Sequence, residues 1–323
     1  MSSWTIQTSN GHGERNPALL ELADVEGDPY NRHLSGVKSL LDEANVMVMP
    51  TGGKPSRAQV AAFWNFARCD YLAAYINHTK TRLDTEDLPL WRSAGLLLDR
   101  ESLLTPQSSS HTKNYYVEDE MRVDMISNAL VWLLSKLMNY LAACADAQGN
   151  DAAGWKRLDH ELEGWFNGLR KSFNPSGILY PDPESADLTR RTFSEMFYSI
   201  PLCAVTMQHY HFARIILLLH KPRGLSSSVR EQLQEVREIP NKIKYHSREI
   251  CGIALGRPPG YVRIHMLQPL FLAGQCLEEV GERKIVLDIL RGIELDLGWA
   301  TEYRVKELLA DWGWSSIGSP LAA

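Results

Sequence analysis

The sequence predicts an all-α protein, a single compact array of roughly ten to twelve packed helices. Three observations point there. Apolar residues recur in steps of three and four, the helical period, along nearly the whole chain. Alternating apolar and polar runs are rare, and no Asn-Gly or Asp-Gly hairpin lies between two such runs. Prolines, glycines and serines then cut the chain into pieces of helical length.

The first helix is read from Leu34 to Ala44, with Leu34, Val37, Leu40 and Leu41 on one face. Pro50 to Pro55, with a Gly-Gly pair, breaks the chain. Ser56 and Gln59 have capping-box spacing and start a second helix, whose apolar face is Val60, Phe63, Ala67, Tyr71 and Ala74. It ends before the segment Leu83 to Trp91. A Ser-rich loop, Thr105 to Lys113, precedes a long helix from about Glu118 to Ala143. After a polar break at Ala145 to Gly154, the next helix carries Trp155, Leu158, Leu162, Trp165 and Leu169.

Asn174 to Pro183 is read as a loop, and Pro201 as a point flanked by two helical pieces, the second running to Lys221. Ser226 to Ser228 offer N-caps for a helix that Pro240 is expected to divide. Gly256 to Gly260 is a further break, and Pro269 is expected to kink the helix after it. The last long helix holds Ile285, Ile289, Ile293 and Leu297, with Gly298 as its C-cap. A closing helix carries Val305, Leu308 and Leu309 and ends near Trp312.

The chain has 323 residues, of which 44% are hydrophobic, enough for a sizeable core. Its 34 basic and 39 acidic residues leave a net charge of -5, with no basic stripe to neutralise phosphates. The scattered Lys242, Lys244 and Arg248 read as a solvated helix face. Cys69, Cys144, Cys203, Cys251 and Cys276 are widely spaced within helical patterns. That distribution suits free thiols in a reducing compartment, not a zinc site, whose ligands need close spacing. Met1 to Pro17 is polar and turn-rich, without the apolar core of a signal peptide. The longest apolar stretch, Leu202 to His220, contains Gln208, His209, His211 and Arg214, which argues against a membrane span.

Catalytic constellations are not evident. His209 and His211 are two apart and point away from each other on a helix, whereas zinc-binding histidines on one helix sit four apart. His246 and His265 are isolated. Asp84, Glu86 and Asp87 beside Pro89 could act as paired acid and base, but they suit helix capping better. There is no Gly-x-Ser-x-Gly elbow, Walker loop or Gly-x-Gly-x-x-Gly turn. Trp64, Trp91, Trp132, Trp155, Trp165, Trp299, Trp312 and Trp314 read as core, because a base-stacking platform would need basic neighbours. No catalytic, cofactor or metal residue is assigned.

Five blocks in order carry a family resemblance. They are His33 to Leu41; Phe63 to Tyr71 continuing to Leu83 to Trp91; His211 to His220; Arg248 to Ala254; and Gln268 to Leu277 with Glu282-Arg283, Gly298 to Thr301 and Arg304 to Lys306. In this order they resemble the regulatory domain of fungal zinc-cluster transcription factors, over about Asp28 to Trp314. The resemblance implies a polar N-terminal segment at 1–27, a helical regulatory domain at 28–314 and a flexible tail at 315–323. It implies a nuclear transcriptional regulator, not an enzyme and with no cofactor, of fungal genes such as those of a metabolic or secondary-metabolite pathway. Its expected partners are the transcription machinery or a related factor, as a homo- or heterodimer, and a small-molecule effector. Members usually carry a six-cysteine, two-zinc module that opens on Cys-x-x-Cys. No such spacing occurs here, so zinc and DNA binding are not carried over. The alternatives are an enzyme with a helical pocket in secondary metabolism, and a non-DNA-binding paralogue that pairs with a full-length factor.

Overall fold

Ser56 and Gln59 close the expected capping box: the Gln59 N–H donates to Ser56 Oγ, and the Ser56 N–H donates to Gln59 Oε1. The box opens α1 (Arg57–Asn77), satisfying two backbone donors that a helix start leaves without partners. The computed structural model describes residues 32, 34–39, 55–98, 115–146, 151–222 and 228–314. The segment 1–27, the tail 315–323, the Gly-Gly pair at 52–53, the Ser-rich loop 105–113 and the capping serines Ser226 and Ser227 lie outside the described residues. The all-α class holds: 74% of the described residues are helical, and among them there is one two-stranded sheet. The chain divides into two compact units, Met1–Leu169 with His220–Leu225, and Arg170–Leu219 with Ser226–Ala323. No single linker separates them, because the first unit takes residues from within the second's stretch of chain.

In the first unit, residues 34–39 are helical, and Leu34 is buried. α1 packs on α3 (Tyr115–Asp146), and α3 packs on α4 (Ala152–Asn167). Between α1 and α3 in sequence lies α2 (Leu88–Ser93), capped by Asp87 Oδ1 on the Leu90 N–H. Phe63, Trp64 and Trp91 form an aromatic cluster with ring centroids 5.2–5.6 Å apart. Three of the buried indoles find backbone acceptors in this region. Trp64 Nε1 donates to Ala94 O at 2.9 Å, Trp91 Nε1 to Asp84 O at 2.8 Å, and Trp132 Nε1 to Thr85 O at 3.2 Å. Asp70 is 1% exposed, and its carboxylate accepts from the Arg82 N–H, the Leu83 N–H and Arg82 Nη1. Burial still raises its pKa, against the pull of those donors.

The second unit centres on α6 (Pro201–Leu219), buried on nearly every face. By length and composition α6 could cross a membrane, but 83% of that window is buried in the protein, as in a core helix. Two of its polar side chains donate to backbone carbonyls: Gln208 Nε2 to Ile250 O, and Thr206 Oγ1 to Leu202 O. α7 (Val229–Leu255) lies against it. Next come α8 (Gly260–Arg263), α9 (Leu267–Cys276), α10 (Val280–Leu297) and α11 (Glu302–Asp311). Gly298 caps α10 at φ 67°, its N–H donating to Glu294 O. Thr301 Oγ1 donates to Leu290 O, and Glu294 Oε2 accepts from the Thr301 and Glu302 N–H groups, which ties α11 back onto α10.

Four expectations change. The loop at Asn174 to Pro183 contains β1 (Gly177–Leu179), which pairs antiparallel with β2 (Glu195–Phe197), Ile178 opposite Met196. Three-residue strands are too short to display an alternating pattern. Pro201 does not lie between a pair of helical pieces but is the first residue of α6, where its missing N–H costs nothing. The short helix before it, α5 (Leu188–Thr192), lies upstream of β2. Pro240 does not divide α7. The carbonyl it deprives of a donor belongs to Val236, which is 71% exposed, so water can serve it. Pro269 sits in the first turn of α9, after a 3-10 turn at Ile264–Met266, where no intrahelical N–H bond is lost.

β2 approaches α7 at two glycines. A Cβ on Gly252 would stand 2.6 Å from Ser194 O, and one on Gly256 would stand 1.8 Å from Met196 O. Gly256→Ala should therefore destabilise the protein by about 2 kcal/mol or more. Gly164→Ala, on α4 with nothing within 4 Å, should stabilise it by about 0.5–1 kcal/mol. Thermal melts of the two variants should move in opposite directions. Asp70→Ala removes three hydrogen bonds and strands the buried Leu83 N–H, with an expected loss of about 2–4 kcal/mol in urea unfolding.

Candidate functional site: a polar cleft between two helices

The first unit holds a cleft of about 440 Å³, within the range of small-molecule sites. Two helical faces and one irregular segment line it. On α3 the lining residues Trp132, Lys136, Asn139, Tyr140 and Ala143 lie within one helical stripe, at spacings that share a face. On α4, Gly154, Arg157, Leu158 and Glu161 do the same. Thr85, Glu86 and Leu88 close a third side.

The walls are tied together by polar contacts. Lys136 Nζ donates to both Glu161 oxygens, 2.7 Å from Oε1, and lies 4.5 Å from the centre of the Trp132 ring. Asn139 Oδ1 accepts from the Thr81 N–H at 2.8 Å, while its Nδ2 donates to Thr85 Oγ1 at 3.2 Å. Tyr140 donates its hydroxyl to Asp151 O. Burial, helped by a hydrogen bond with Cys144, holds that phenol above its usual pKa, so it stays protonated. Asp151 caps α4 through the Ala153 N–H. Gly154 keeps the cleft open at this end, since a Cβ there would meet the Asp151 carboxylate and the Tyr140 ring. Glu86 and Arg157 are exposed, and among the described residues neither has an ion-pair partner.

The acidic triplet read from the sequence separates. Asp84 Oδ1 accepts the Glu86 N–H in a turn, Asp87 caps α2, and Glu86 alone reaches the cleft. Trp64, Trp91, Trp132, Trp155 and Trp165 are buried as core, and Trp165 Nε1 donates to Ile126 O. Trp312 and Trp314 pack on each other. Sequence reasoning misses Lys136, Asn139, Tyr140, Arg157 and Glu161. A signal exists: Lys136 is the sole charged residue between Ala129 and Ala143. The partner helix that makes it meaningful cannot be named from spacing.

The histidines serve the second unit. His209 Nδ1 lies 2.9 Å from Val205 O, within its own helix. His211 of α6 and His246 of α7 meet Nδ1 to Nδ1 at 2.8 Å, and His211 Nε2 lies 3.9 Å from Glu249 Oε2. One imidazole of the pair donates to the other, and the tautomers set which. Burial lowers the pKa of His211 well below the ordinary value. Burial, with Arg214 and Lys242 nearby, lowers His246 to about 4. Burial raises Glu249, opposed by the Tyr245 hydroxyl. Cys203 and Cys251 are buried, and none of the five cysteines is in a disulfide. Burial pushes the Cys203 thiol up to about 12 and Cys276 up to about 11, which makes them unreactive.

The fold and cleft define a helical protein with a pocket-sized polar site among the described residues of its first unit. The chain is similar to the transcription activator AMTR1 of Alternaria alternata, 37% identical in a gapped alignment 328 positions long that covers 91% of this chain. It spans 42% of that relative's length. No family model matches the chain, and no solved structure does.

The imidazole pair makes stability pH-dependent. Unfolded chains take up protons at these histidines near pH 6.5, whereas folded His246 does so only near 4. The unfolded state binds more protons between those values, so stability falls as pH drops from 6.5 toward 4. Glu249, with its raised pKa, offsets some of the loss. The His246 contribution is on the order of 3 kcal/mol. Urea midpoints should drop between pH 7.5 and 5.0, and His246→Asn should flatten that slope.

Proposed function

We propose that this chain is the helical regulatory region of a fungal transcription activator, acting in the nucleus through protein contacts and effector binding, not by reading DNA itself. The observation that carries this reading is the 37% identity to AMTR1 across 91% of the chain. The ordered family blocks support it, because they are the residues that build the fold. Trp64, Asp70, Asp84, Thr85 and Trp91 form the first unit's hydrogen-bonded centre. Gly252, Gln268, Thr301 and Arg304 join helices of the second. The charge balance of 34 basic to 39 acidic residues supports a role without phosphate binding. An enzyme reading has less support, since the cleft's Lys136 and Glu161 neutralise each other and Tyr140 is bonded to backbone. The expected partners are the transcription machinery or a related factor, with this chain as one member of a homo- or heterodimer.

Fused to a heterologous DNA-binding module in a fungal reporter strain, the chain should raise or repress reporter output several-fold over the module alone. Output equal to the module alone, with the fusion accumulating in the nucleus, would sink the proposal. The purified chain should leave the mobility of promoter fragments unchanged in a gel-shift assay, whereas a sequence-selective shift would contradict the DNA-independent aspect.

A further inference from the structure

We infer that the α3–α4 cleft binds a small zwitterion of the amino-acid class, a free amino acid or dipeptide with apolar side chains. The charges on its walls decide the class. Two cations and three carboxylates line it: Lys136 and Arg157, against Glu86, Asp151 and Glu161. Lys136 is consumed by Glu161, and Asp151 is engaged as the α4 cap. Arg157 and Glu86 remain, one cation and one carboxylate, both exposed and without ion-pair partners among the described residues. A purely anionic ligand would meet Glu86 uncompensated, and a purely cationic one would meet Arg157. A ligand carrying both charges satisfies both.

The rest of the lining sets size and polarity. Leu88, half-buried, offers apolar surface to a side chain, and the buried Trp132 and Leu158 back the floor. The volume holds about fifteen waters at ~30 Å³ each, so a large amino acid fits with room to spare and an apolar dipeptide displaces most of them. Arg157 matches a carboxylate with two parallel N–H donors. The Lys136–Glu161 bridge and the Asn139 bonds to Thr81 and Thr85 hold the three walls in place before a ligand arrives, which lowers the ordering cost of binding.

The inference deepens the effector aspect of the proposed function and rests on it, but binding is measured on the purified chain and does not depend on any transcriptional readout. Calorimetry and thermal shift would be run with the twenty L-amino acids and a set of Leu-, Phe- and Val-containing dipeptides. For the best of these, the N-acetyl form keeps only the carboxylate, and the C-terminal amide keeps only the ammonium. The zwitterion should bind at least tenfold more tightly than either. Arg157→Gln and Glu86→Gln, both at exposed positions, should each weaken it about tenfold while melting as the parent does. Lys156→Gln, exposed on the same helix and outside the lining, should leave it unchanged. No binding by any of these probes at 10 mM would overturn the inference. So would equal binding of the mono-charged forms, or binding that survives both substitutions. Reporter activity that persists without such binding would sink this inference and leave the regulatory reading standing.

Discussion

The first unit depends on a demand of buried backbone. Residues 79–87 and 94–98 are irregular, and they bury Leu83, Thr85, Ala94 and Leu96 against the core, where carbonyls without donors would be costly. Three tryptophans supply those donors: Trp64 to Ala94, Trp91 to Asp84 and Trp132 to Thr85. Asp70 supplies the matching acceptor for the Arg82 and Leu83 N–H groups. The segment is thereby fixed without regular secondary structure. Everything at the cleft follows from this, because Thr85 and Glu86 reach the α3 face only while that segment is wired to it. The indoles therefore do two jobs, packing the core and positioning a wall of the site.

The second unit meets a different constraint. α6 is buried almost all round, so its polar side chains must find partners inside the protein. Gln208 uses a carbonyl of α7, His209 a carbonyl of its own helix, and His211 an imidazole of α7. The histidines remain neutral because burial disfavours the charged form, reinforced at His211 by His246 and at His246 by Arg214 and Lys242. The same close packing requires Gly252 and Gly256 where β2 crosses α7. The resemblance blocks on α6 and α7 thus encode a fit between elements of the second unit.

That division of labour bears on function. Residues that carry the resemblance build the scaffold and, through Thr85, Glu86 and Leu88, one wall of the cleft, whereas Lys136, Arg157 and Glu161 lie outside every block. The cleft is also held by ion pairs and amide bonds at the edge of the core. Such contacts rearrange at lower cost than the tryptophan cluster behind them. A ligand with different affinity for two arrangements of α3 and α4 would shift their populations.

The helical class, the Ser56 capping box, the Gly298 cap and the buried face of α1 were all legible in the sequence. Each is a local property, set by spacing or by a residue's own backbone preference. The proline readings failed where exposure or helix position, neither visible locally, cancelled the cost of a missing N–H. The short sheet escaped notice because its strands exist only through pairing with each other and packing on α7. The cleft was the least legible of all. Its periodic faces on α3 and α4 look like any amphipathic helix until the two are set against the Thr85–Leu88 segment. Sequence alone determined that this chain makes helices with a large apolar core and no basic surface. Only tertiary structure decided which polar residues face one another, because ion pairs and donor–acceptor matches between distant residues depend on three-dimensional proximity and leave no period in the chain.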